Sequence, residues 1–107
     1  MITYNKLVRD RITEIIQESG KTYKAHILKN DAFLDAIYEK FHEEVQEFQD
    51  AEHKKDKIEE LADILELVYA ATDALDISYE ELEAVRQEKQ EKRGGFKERV
   101  FLESVDD

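Results

Sequence analysis

Hydrophobic residues fall into four stretches of helical spacing, the densest at 59–74, EELADILELVYAATDA. At about 100° per residue, Ile58, Leu61, Ala62, Leu65, Val68, Tyr69 and Thr72 form one face, and Ile64, Leu67, Ala71 and Ala74 a second. A helix that is apolar on most sides is a buried one, so this element, expected from about Lys57 to Leu75, belongs at the centre of the fold. Before it, Phe33, Leu34, Ile37, Tyr38, Phe41, Val45 and Phe48 recur three and four residues apart, the stripe of a core-facing helix. Asn30 or Asp31 is its expected cap and Ala51 its approximate end. The polar run DAEHKKD at 50–56 predicts a short turn, which makes the two helices antiparallel neighbours. Ile12, Ile15 and Ile16 mark a shorter helix over 9–19, closed by Gly20. Ser78 with Glu81 three residues on forms a capping box opening a last helix to about Arg93, where Gly94-Gly95 ends it. Segments 22–28 and 99–105 alternate loosely and are the only candidates for extended strands; 1–8 has no clear period, and 96–107 is a tail able to pack back. The pattern predicts an all-α fold: an antiparallel two-helix hairpin with flanking helices.

Composition narrows this further. A chain of 107 residues is sized for a single domain, residues 1–107, with a modest core. Hydrophobic residues make up 41% and charged residues 40%, proline is absent and only three glycines interrupt the helix formers. A formal net charge of −11 argues against a nucleic acid polymer as partner, because that needs a basic face. With no cysteine, disulfides and thiolate metal sites are excluded. No apolar run approaches the roughly 18 residues of a membrane span and no signal core opens the chain, so no membrane partner and a cytoplasmic location are expected.

The candidate chemistry lies among the acids. Asp63 stands between apolar positions of the central helix with Glu60 one turn before it, and a carboxylate so placed is costly unless a cation or hydrogen-bond donors meet it. Glu44 and Glu47 repeat that spacing on the preceding helix, Glu44 at the edge of the apolar stripe. Twelve residues separate Glu47 from Glu60, enough to bring the two pairs face to face near the turn end of the hairpin. Most Glu-x-x-Glu pairs are solvated helix surface, but two such pairs on consecutive helices, one within an apolar face, point to a metal site. Oxygen ligands without His or Cys suit Mg²⁺, with Mn²⁺ possible. Because Mg²⁺ is commonly shared with substrate phosphates, the constellation points to a phosphorylated ligand.

Glu43-Glu44-x-x-Glu47, followed by Glu60-x-x-Asp63, resembles the E-E-x-x-E…E-x-x-D signature of the MazG-like all-α nucleoside triphosphate pyrophosphohydrolases. Tyr4–Ile12, YNKLVRDRI, and Arg86–Phe96, RQEKQEKRGGF, resemble a small-protein branch related to phosphoribosyl-ATP pyrophosphohydrolase. The three stretches keep the expected order across most of the chain. Thr13 stands where such proteins often carry proline and Asp76 where glycine is common. The resemblance implies Mg²⁺-dependent hydrolysis of a nucleoside triphosphate to monophosphate and pyrophosphate, as in house-cleaning of non-standard nucleotides. Glu44, Glu47, Glu60 and Asp63 would be the metal ligands and Glu43 the proton acceptor, though Glu43 reads equally well as a solvent-facing residue. Phosphoribosyl-ATP hydrolysis, and a non-catalytic acidic helical regulator, are the alternatives.

Lys89 and Arg93 share one face at the end of the last helix, where basic residues also offset the helix dipole; in this resemblance they reach the triphosphate. Lys6 and Arg9 could complete a phosphate clamp or pair with surface acids. His26, His42 and His53 have no ligand-like spacing, and Tyr38 and Tyr69 belong to apolar stripes. A hairpin covers one of the two faces of the central helix, so the face Ile64, Leu67, Ala71, Ala74 calls for the flanking helices or a second subunit. A homodimer or homotetramer with its site near a subunit interface is expected.

Overall fold

The computed structural model describes residues 2–106; residues 1 and 107, the outermost positions of the two terminal segments, lie outside it. Among the described residues there are four helices: α1 (Ile12–Glu18), α2 (Asn30–Asp50), α3 (Lys54–Ala74) and α4 (Tyr79–Arg93). No strand occurs among them, and 22–28 and 99–105 run without regular structure. The fold is all-α. The chain forms two compact units, one ending at Asp76 and one beginning at Ile77.

In the first unit, α2 and α3 pack as a hairpin joined by residues 51–53. Helix α3 starts at Lys54, earlier than Lys57, because His53 takes the extended conformation before the helix and Lys57 N–H already donates to its carbonyl at 3.0 Å. Neither Asn30 nor Asp31 caps α2. Both lie inside the helix, and Lys29 precedes it in extended conformation without a side-chain cap. Helix α1 is trimmed to seven residues and ends before Gly20, whose φ of +86° suits glycine.

The turn end of the hairpin is tied by Lys57. Its ammonium donates to the Phe48 carbonyl at 2.8 Å and lies 5.0 Å from the Phe48 ring centroid. One side chain thus meets a carbonyl left open in the last turn of α2 and caps an aromatic face.

Over the first half of α3 the two faces exchange the roles expected for them, while toward its end Val68, Tyr69 and Thr72 of the first face are also partly or fully buried. Leu67 and Ala74 are buried and Ile64 and Ala71 partly so, whereas Ile58, Leu61 and Leu65 remain at least half exposed. Glu60 explains the exchange. It shares the stripe of Ile64, Leu67, Ala71 and Ala74 at spacings of three and four. When its carboxylate turns toward α2, that whole stripe turns with it. The core is small: Ile37 is fully enclosed and Leu67 and Ala74 lie beside it in burial. Buried Thr72 satisfies its hydroxyl by donating to the Tyr69 carbonyl at 2.6 Å.

The second unit holds α4. Ser78 Oγ accepts from the Glu81 N–H at 3.1 Å while the Ser78 N–H donates to Glu81 Oε1 at 3.4 Å, the capping box read from sequence. Gly94, with φ of +82°, closes the helix.

Candidate active site

Helical geometry places the acids. Glu44 follows Ile37 by seven residues, so the packing that buries Ile37 also carries Glu44 inward. Glu44 is 5% exposed, far more enclosed than its expected place at the stripe edge. Glu47, one turn on, stays exposed, and Glu60 enters from α3, partly buried. Ligand oxygens of Glu44, Glu47 and Glu60 all lie within 4.8 Å of one another.

Like charges at such distances need compensation. Burial pushes the Glu44 carboxyl up to about 8, aided by contacts with Glu60 and Glu47 and by the charges of Glu47 and Asp63. Contact with Glu44 works to lower Glu60, but desolvation together with Glu47 and Asp63 outweighs it, and Glu60 too is raised. Glu44 Oε2 and Glu60 Oε2 are buried and accept no hydrogen bond. A proton shared between the two carboxyls, or a cation, satisfies both. The donor set is oxygen only, which suits a hard divalent cation. The cluster therefore could bind a metal, with buried acceptors that await a positive partner.

Asp63 is turned to a different partner. Arg9 donates from its guanidinium to Asp63 Oδ1 at 2.5 Å. Lys6 Nζ approaches Glu43 Oε1 at 3.2 Å. The segment before α1 thus brings two cations onto the acids of the hairpin. Partial burial alone would raise Glu43, but Lys6 and Lys40 outweigh it and hold Glu43 below the ordinary carboxylate range. Lys40 was not singled out from the sequence. It lies on α2 one turn before Glu43 and Glu44, and its ammonium reaches both Glu43 oxygens at 3.3 Å and Glu44 Oε1 at 3.6 Å. The K-x-x-E-E spacing is the signal that could have found it, since i, i+3 and i, i+4 partners share a helix face. Lys89 and Arg93 are exposed on α4, in the second unit.

The family profile described as phosphoribosyl-ATP pyrophosphohydrolase matches residues 2–92. The chain belongs to that family. It is thereby a member of the MazG-like all-α superfamily, and a pyrophosphohydrolase acting on a nucleotide. No curated protein and no solved structure gives a significant match. Among the described residues no helix is long and apolar enough to cross a membrane.

Proposed function

We propose that the protein hydrolyses a nucleoside triphosphate between its α- and β-phosphates, releasing the monophosphate and pyrophosphate with Mg²⁺ as cofactor and Mn²⁺ as substitute. The observation that carries this reading is the convergence of Glu44, Glu47 and Glu60 around two buried, unsatisfied carboxylate oxygens. Glu44, Glu47 and Glu60 would hold the ion, joined by Asp63 when Arg9 releases it. When bound there, the ion supplies Lewis acidity and the positive charge that phosphate oxygens require.

The remaining roles fall to the side chains around this cluster. Lys6 and Arg9 trade their carboxylate partners for phosphate oxygens, Arg9 as a two-pronged donor and Lys6 as a point charge. Glu43, kept ionised by its two ammonium neighbours, accepts the proton of the attacking water. Lys89 and Arg93 contribute further phosphate contacts, and the protein works in the cytoplasm as a homodimer or homotetramer.

Phosphoribosyl-ATP is the second reading for the substrate, favoured by the description of the matching family. The test is a panel of standard and modified nucleoside triphosphates and phosphoribosyl-ATP, each with Mg²⁺, scored for pyrophosphate against orthophosphate. Pyrophosphate from one or more of them supports the proposal, and preference within the panel separates the two substrates. Orthophosphate overturns it in favour of cleavage at the terminal phosphate, and no release from any overturns it and leaves a regulator on a retained scaffold. Arg93→Ala should lower kcat/KM at least tenfold, about 1.4 kcal/mol, with cation affinity unchanged; normal kinetics would remove α4 from the site.

A further inference from the structure

The cluster carries one cation that is part of the helical scaffold itself. Lys6 and Arg9 arrive from a distant segment and keep 42% and 57% of their side chains exposed, whereas Lys40 keeps 17%. Lys40 also meets two acids at once. It touches both oxygens of Glu43 and lies near one oxygen of Glu44, whose other oxygen is the buried acceptor with no donor.

We infer that Lys40 is a positioning residue for the carboxylate cluster: from the same helix it fixes Glu43 and Glu44, so that Glu43 is held out of the cluster and Glu44 offers its remaining oxygen to it. The inference rests on the cation site proposed above and deepens it. A side chain with two torsional freedoms near its carboxyl is held only if something engages it. A single ammonium at i−3 and i−4 engages both acids without spanning the hairpin. The groups that orient ligating carboxylates commonly matter 10–100-fold for metal affinity or activity. Positioning also has a sign that plain electrostatics does not share. Removing a positive charge beside an anionic site should, by Coulomb's law alone, tighten cation binding. Removing a positioning contact should weaken it.

The test uses the full chain with Lys40→Met, Lys40→Gln and Lys40→Arg, and Mn²⁺ alone as the probe. The free Mn²⁺ signal gives the dissociation constant without nucleotide, and circular dichroism gives helix content. Expected are native helix content, a Kd for Mn²⁺ raised at least tenfold in Lys40→Met and Lys40→Gln, and a value within threefold of the parent in Lys40→Arg. With an accepted nucleotide, kcat should fall tenfold or more at saturating metal while KM changes less than threefold. Unchanged or tighter Mn²⁺ binding in the two neutral variants overturns the inference, as does loss of the fold in both, which would make Lys40 a support of the helix pair. If the parent protein releases no pyrophosphate from any nucleotide, the hydrolase reading fails alone, because the Mn²⁺ measurement needs no turnover.

Discussion

Arg9 and Asp63, fifty-four residues apart in sequence, meet at 2.5 Å, so one of the carboxylates expected to hold a cation holds a guanidinium. The pair is more than a third exposed on each side, and its net worth to stability is that of a surface ion pair, about 0–1 kcal/mol. Its cost of opening is therefore small against what a triphosphate offers Arg9. Arg9→Ala should leave the melting temperature within a few degrees of the parent and raise the nucleotide KM by tenfold or more. Asp63→Asn should keep helix content and abolish activity. Steady-state kinetics and melting curves on both variants check this, and near-normal turnover of Asp63→Asn at limiting Mg²⁺ would remove Asp63 from the ligand set.

The raised Glu44 carboxyl makes the metal-free protein sensitive to pH in one direction. The group titrates near 8 when folded and near 4.5 otherwise. Over that window the folded chain keeps a proton that the unfolded chain releases, so stability falls as pH rises. Below the window both states are protonated and the term vanishes. In EDTA the melting temperature should decline from about pH 5 to pH 8. Glu44→Gln should flatten the decline, which separates it from general repulsion in an acidic chain. Mg²⁺ at pH 8 should restore stability by binding the folded state. A level profile in the parent contradicts the reading.

Asp76 follows the end of α3 with φ of +58°, in the left-handed region. This is the position at which the resemblance expects glycine, and the backbone gives a reason: glycine adopts this conformation without a Cβ penalty. Aspartate tolerates the region better than most residues. Asp76→Gly should stabilise the protein by on the order of 0.5 kcal/mol, net of the entropy glycine adds to the unfolded chain. Thermal or urea unfolding measures it.

Ile58, Leu61 and Leu65 recur on one face of α3 and stay at least half exposed. If this face joins subunits, Leu61→Glu with Leu65→Glu should shift light scattering at micromolar concentration toward the monomer. A parent protein that is already monomeric would show that the face remains in water.

The hairpin was legible because a 3.6-residue period sustained over Phe33–Phe48 and Ile58–Ala74 admits no other element. The capping box was legible because Ser78 and Glu81 have no competing local role. Helix starts were less so. Lys54–Asp56 is a polar first turn with no periodic residue to announce it, and two adjacent cap formers, Asn30 and Asp31, mask a start that uses neither. The orientation of α3 was written in the sequence through the register of Glu60 with Ile64 and Leu67. Counting apolar residues alone hides it, since both faces score as hydrophobic. The pairing of Lys6 with Glu43 and Arg9 with Asp63 could not be read from spacing, because a coil segment has no period to aim its side chains.

The three-residue connection between α2 and α3 also sets an order of events when the chain folds. Glu44, Glu47 and Glu60 belong to one local hairpin, whose closure costs little chain entropy. The cations of the first segment meet the neighbouring acids Glu43 and Asp63, 37 and 54 residues away along the chain. The anionic half of the site is therefore assembled before its distant counter-charges arrive, and for that interval Lys40, carried on the same helix, is the cation already in place.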